Sequence, residues 1–142
     1  GSGNVIPPDA TLVFDVELIS VSEPKTPISD MLMLTCIQKD VNAAVDQYRE
    51  LKSSGGDMYN FKENQLNMLG YQLLQLGKNK DAIVILQLNA EVYPNSANVY
   101  DSLGEAYMID GNKELAAINY NKSLELNPKN DNARKMLENL NK

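Results

Sequence analysis

The chain of 142 residues contains no histidine and a single cysteine. Without histidine the familiar Ser-His-Asp arrangement cannot be built, and the commonest general base and metal ligand is missing. One cysteine, Cys36, permits neither an intrachain disulfide nor a cysteine-based metal site. Its neighbours Met31, Leu32, Met33, Leu34 and Ile37 mark it as a small buried hydrophobe rather than a reactive thiol. No apolar run approaches the roughly 20 residues that a membrane-spanning helix needs. Basic residues are outnumbered 13 to 19, for a formal charge of −6, and they form no patch. That excludes nucleic acid as a partner, since such binding rests on clustered Lys and Arg. Gly55-Gly56 is the one glycine cluster, and no lysine and hydroxyl follow it as they would in a phosphate loop. The acids are spread along the chain as solvated faces. Nothing in this composition asks for a cofactor or a metal, and the chain by itself presents no catalytic constellation.

What is present is a pattern written twice. Leu69-Gly70 returns 34 residues later as Leu103-Gly104, Gly77 as Gly111, Ala82 as Ala116 and Pro94 as Pro128. Leu66, Leu73 and Leu86 return as Tyr100, Tyr107 and Tyr120. In each unit large apolar residues three or four apart make one stripe of a first helix: Leu66, Leu69, Leu73 and Leu74, then Tyr100, Leu103 and Tyr107. Gly70 and Gly104 fall inside those helices, where glycine costs about 1 kcal/mol relative to alanine. Each therefore predicts a close approach of the partner helix. Gly77 and Gly111 stand where the first helix must stop. Ala82 and Ala116 are small where a second helix crosses the first. Pro94 and Pro128 end the second helices, after which Asn95 or Ser96 is available as a cap.

This 34-residue arrangement resembles the tetratricopeptide repeat (TPR), a helix–turn–helix unit that stacks into a solenoid. The resemblance implies an all-α chain: a TPR-like solenoid of helical hairpins, about 2.5–3 repeats plus a C-terminal capping helix, preceded by one orphan β-strand. Residues 61–142 hold the two clear repeats and the cap. Residues 28–60 read as a degenerate hairpin and loop. There Ser29 is expected to cap a helix, Lys39-Asp40 to turn, and Val41, Ala44, Val45, Tyr48 and Leu51 to line a second helix from Val41 to Ser53. The loop Ser53-Ser54-Gly55-Gly56-Asp57 absorbs the longer spacing, and Met58, Tyr59 and Phe61 are expected to staple the next helix to it. The last helix should bury Ala133, Met136, Leu137 and Leu140 and turn Arg134, Lys135, Glu138 and Lys142 outward.

The first 22 residues differ. Leu12, Phe14, Val16 and Leu18 alternate with Asp15 and Glu17, the period of a half-buried strand. Val5-Ile6-Pro7-Pro8-Asp9-Ala10-Thr11-Leu12-Val13-Phe14-Asp15-Val16-Glu17-Leu18 resembles the last loop and final strand of an FKBP-type peptidyl-prolyl isomerase domain. That resemblance implies that Val5, Ile6 and Phe14 are the remnant of an isomerase pocket. The rest of that pocket would lie upstream, and the parent protein would be a peptidyl-prolyl cis–trans isomerase. A lone strand cannot satisfy its own backbone. Residues 10–21 are thus expected to pair with a second copy as a homodimer, to lie against the helices, or to stay unordered. Residues 23–27, polar and proline-bearing, read as the linker between the two parts. Gly1-Ser2-Gly3 does not read as a natural start, so a longer protein or a cloning scar is expected. No targeting segment is seen, a soluble chain is expected, and its compartment is unknown.

In TPR proteins the first helices line a concave groove for an extended peptide or a partner helix. The matching positions are Asn64, Asn67, Met68, Tyr71, Leu74 and Gln75, then Asn98, Asp101, Ser102, Glu105, Met108 and Ile109. A subset of the family grips a C-terminal carboxylate with Lys, Asn and Arg on this face. Here those places hold Asn67, Tyr71 and Ser102, beside the acids Asp101 and Glu105, so an apolar or basic protein or peptide partner is expected instead. A structural spacer or dimerisation element without a peptide ligand is the alternative.

Overall fold

The computed structural model describes residues 23–142. The strand expected at residues 10–21 and the pocket remnant Val5, Ile6 and Phe14 lie outside the described residues. Seven helices follow one another there: α1 (Ile28–Gln38), α2 (Val41–Ser53), α3 (Glu63–Gln75), α4 (Asn79–Val92), α5 (Ala97–Ile109), α6 (Lys113–Leu126) and α7 (Asp131–Leu140). Consecutive helices pack as the hairpins α1–α2, α3–α4 and α5–α6, with α7 laid on α6. Neighbouring hairpins stack through α1 on α3, α2 on α4, α3 on α5 and α4 on α5.

The two clear hairpins turn by the same device. Gly77 and Gly111 have φ of 72° and 83°, the left-handed conformation that a side chain would strain. In the first turn Gly77 N donates to Leu74 O and Lys78 N to Leu73 O, both at 2.9 Å. In the second, Gly111 N reaches Met108 O at 3.1 Å and Asn112 N reaches Tyr107 O at 2.9 Å. These paired bonds satisfy the last carbonyls of α3 and α5 and reverse the chain.

The mid-helix glycines have the packing reason the sequence predicts. A Cβ on Gly70 would lie 2.6 Å from the Leu86 side chain, and one on Gly104 would lie 2.9 Å from the Tyr120 ring. Leu86, Tyr120, Ala82 and Ala116 are all fully buried. The helices of each hairpin thus meet with no side chain between glycine and its partner.

Two apolar cores result. One joins Ile28, Leu32, Cys36 and Tyr48 of the first hairpin to Leu66, Leu69, Leu73 and Ile85. The other joins Leu86, Val99, Leu103, Ala106 and Tyr120 to Ala133 of α7. Leu74 packs against both. Met136, Leu137 and Leu140 close the second core, while Arg134, Lys135, Glu138 and Lys142 are exposed. Burial raises the Cys36 thiol above its ordinary pKa, and the Asp81 and Asp40 charges add to the rise. The thiol is thereby held in its unreactive form.

Three local expectations fail. Ser29 is no cap: it lies buried inside the first turn of α1, and its Oγ donates to Gln65 Oε1 at 3.2 Å. The helix starts from Pro27 instead, whose fixed φ suits a helix entry. Ser96 stands at the α5 N-cap position without a side-chain capping bond, and Asn95 supplies none either. Met58 is exposed, so only Tyr59 and Phe61 staple the loop, the Phe61 ring meeting Tyr48 edge-on at 5.4 Å. The segment read as a linker is also tied at its end. Thr26–Pro27 (β1) pairs in parallel with Tyr59–Asn60 (β2), and Thr26 N donates to Met58 O at 2.9 Å.

Candidate functional site

Positions three and four apart on α3 and on α5 share one face of each helix, and the stacking of these two helices sets the faces side by side. Polar side chains bridge them. The Tyr71 hydroxyl on α3 donates to Glu105 Oε2 on α5 at 2.6 Å and lies 3.4 Å from Ser102 Oγ. One turn or two earlier, Asn98 Nδ2 donates to Glu63 Oε1 at 2.9 Å. Asn132 Nδ2 at the start of α7 donates to Asp101 Oδ2 at 2.9 Å and carries the series to a third helix.

The structure thus brings Tyr71, Ser102 and Glu105 together, and joins Asn98 and Asp101 to neighbours on the adjoining helices. Ser102 is only 2% exposed and offers no free surface. Leu74 and Met108 are partly buried against the cores. Asn64 and Gln75 are exposed. Met68 and Ile109 are the apolar side chains left open, at 42% and 50%. Two oxygens on this face, Asn67 Oδ1 and Asp101 Oδ1, are buried without a hydrogen-bond partner.

Glu63 and Asn132 take part in these bridges, and sequence reasoning missed both. A signal was available for Asn132, which stands 34 residues after Asn98 and so at the matching position of the next unit. Glu63 is the first residue of α3, with no counterpart of like chemistry at Ala97.

The electrostatics are one-sided. Asp101, Glu105 and Glu63 bring carboxylates, and none of the twelve positions singled out from the sequence is basic. Tyr71 is pushed up to about 12 by burial and by its hydrogen bond to Glu105, with the Glu105 and Asp101 charges adding to the rise. At neutral pH its hydroxyl is therefore a proton-bearing donor rather than a base. Among the described residues no group of three His, Cys, Asp or Glu side chains could hold a metal ion, and no helix is long and apolar enough to cross a membrane. The face carries carboxylate acceptors, a hydrogen-bonded phenol and two exposed apolar side chains.

Residues 97–130 match the family model of the tetratricopeptide repeat. The fold is TPR-like. Among solved structures, the first TPR of Spaghetti (RPAP3), bound to the HSP90 peptide SRMEEVD, superposes with a TM-score of 0.55 at 20% identity, covering 80% of this chain and 87% of that one. The Sgt2 TPR domain from Aspergillus fumigatus gives 0.55 at 21% identity, covering 82% and 79%. A search of curated proteins finds no match. At this identity the likeness establishes the solenoid of hairpins alone. The TPR-like repeat at 97–130 coincides with α5, its glycine turn and α6.

Proposed function

We propose that this TPR-like solenoid is a protein-interaction module that binds an extended apolar or basic peptide across α3 and α5. The observation that carries the reading is the one-sided charge of this face: Glu63, Asp101 and Glu105 stand on it, and none of the groove positions is basic. A basic group of a ligand would meet these carboxylates favourably, and an acidic one would be repelled. Met68 and Ile109 flank this polar strip with apolar contact area. The first TPR of Spaghetti (RPAP3) is bound to the HSP90 peptide SRMEEVD, in which acids outnumber bases. Here an acidic tail would meet Glu63, Asp101 and Glu105 with no basic residue among the groove positions to receive it.

The test is a titration followed through the resonances of Tyr71, Met108 and Ile109. A peptide alternating Lys and Leu should shift them saturably, and SRMEEVD should not. Glu105→Gln should weaken the basic peptide about tenfold, or roughly 1.4 kcal/mol. If SRMEEVD binds as well as the basic peptide, the reading fails. If only self-association is seen, the spacer or dimerisation reading replaces it. That second reading has its own support, because Leu34 and Ile37 on α1, the first helix of the described residues, are 58% and 62% exposed.

The division of the chain belongs to the same proposal: residues 28–60 as a degenerate repeat, 61–142 as two repeats with their cap, and 1–22 as the end of an FKBP-type domain. On that reading the parent is a prolyl isomerase whose catalytic part lies upstream, and this module recruits its partner. The coding sequence before Gly1 tests it. An in-frame isomerase sheet supports the parentage, and a stop codon followed by a start near Gly1 removes it.

A further inference from the structure

The loop after α2 and the entry to α3 border an open cleft of about 750 Å³ that shares no lining residue with the candidate groove. Its size suits a small molecule or one large side chain. Three lysines line it: Lys25 just before β1, Lys52 near the end of α2 and Lys62 just before α3. Lys52 and Lys62 flank one loop and Lys25 comes from the segment before α1, in a chain whose formal charge is −6. None of the three forms an ion pair among the described residues. Glu23 and Asp57 also line the cleft, leaving it one positive charge in excess.

Tyr59, Phe61 and Tyr93 make its apolar wall. That wall is braced, because the Tyr93 hydroxyl donates to the Phe61 carbonyl and the Tyr59 and Phe61 rings meet edge-on at 6.3 Å. Lys52 is held as well. Its Nζ lies 5.6 Å from the Tyr48 ring centroid and 5.7 Å from that of Tyr93, within cation–π range of both. A smaller cavity of about 310 Å³ adjoins through Lys52, and Tyr48, whose buried hydroxyl has no hydrogen-bond partner, lines it. Three lysines and a braced aromatic wall thus line one cleft.

We propose that this cleft binds an oxyanion carried on a planar ring, an aromatic phosphate or carboxylate, with Lys25, Lys52 and Lys62 around the anion and the ring against Tyr59, Phe61 and Tyr93. The aromatic anion is either a free small molecule or a modified side chain of a partner. The cleft is independent of the groove reading, and either can fail without the other.

The test uses the whole chain, with amide shifts of Gly55, Gly56 and Asn60 as the readout. Phenyl phosphate should shift these three saturably and bind at least fivefold tighter than inorganic phosphate. Lys52→Gln and Lys62→Gln, each checked for native helicity, should each weaken it about fivefold, and Lys80→Gln should change nothing. Raising the salt from 50 to 500 mM should weaken it further. A blocked phosphotyrosine tripeptide that binds as well as phenyl phosphate points to a modified side chain, and one that does not points to a free small molecule. Shifts spread evenly over surface lysines, inorganic phosphate binding equally well, or indifference to both cleft variants would overturn the proposal.

Discussion

Asn89 and Ser123 stand 34 residues apart and make the same bond. Asn89 Nδ2 on α4 donates to the Glu63 carbonyl that opens α3, at 3.1 Å, and Ser123 Oγ on α6 donates to the Ala97 carbonyl that opens α5, at 2.8 Å. Both side chains are fully buried. Each pins the second helix of a hairpin to the beginning of the first. The repeat therefore has a polar fastener at the open end, opposite the glycine turn.

Removing either fastener should cost stability. Asn89→Ala or Ser123→Ala strips a buried donor from a backbone carbonyl, a loss of roughly 1–3 kcal/mol each. Urea unfolding of the two variants measures it. Ser123→Ala also removes the acceptor for Asn130 Nδ2, bonded at 2.8 Å, so its loss should extend to the docking of α7. Wild-type midpoints in both variants would show that these bonds merely accompany the packing.

The close contacts at the helix crossings lead to a paired expectation. Gly104→Ala would place a methyl 2.9 Å from the ring of Tyr120, and Gly70→Ala would place one 2.6 Å from the branch of Leu86. Both neighbours are fully buried and cannot move aside freely. Alanine returns about 1 kcal/mol of helix propensity in both cases, while overpacking costs about 1–3 kcal/mol. Both variants should lower stability, as read from thermal unfolding of the pair. A variant as stable as the wild type, or more so, would contradict the close-packing account at that crossing.

These glycines, with the alanines and the turn residues, are legible in the sequence, because backbone approach and left-handed caps restrict the residue type at a position. The boundaries of α2 are legible for the same reason, with Asp40 capping through Ala43 N at 2.8 Å. The fasteners are not legible: asparagine and serine share no class that a pattern of apolar and small residues records. Ser29 misleads because a serine near a helix start serves as a cap or as a buried donor, and only the position of Gln65 on another hairpin decides between them. The groove positions follow from the repeat, but the bridges among them depend on how far α3 stands from α5. The lysine cleft depends on three segments meeting, which no local spacing encodes.

The bridge between Tyr71 and Glu105 makes a prediction in pH. Tyr71 titrates near 10 in an unfolded chain and near 12 in the fold, raised first by burial and then by the hydrogen bond it donates to Glu105. The folded state therefore holds this proton more tightly than the unfolded state does. Its contribution is fully present below pH 10 and is lost as the pH rises from 10 toward 12. Tyr48 is pushed up to about 12 as well, mainly by burial, and Tyr120 and Tyr93 are raised too, so the wild type should lose stability steeply across that window. Tyr71→Phe has no phenol to ionise at this site. It should start less stable at pH 8, because the Glu105 carboxylate loses its donor, and should then fall less between pH 9.5 and 11.5. The difference in slope is roughly 1 kcal/mol over the window, after allowance for solvent screening of a half-buried group. Urea titrations at four pH values in that range measure it. If the variant and the wild type run parallel, the fold does not hold the Tyr71 proton more tightly than the unfolded chain does, and equal stability at pH 8 would show that the phenol–carboxylate bond contributes nothing to holding α3 against α5.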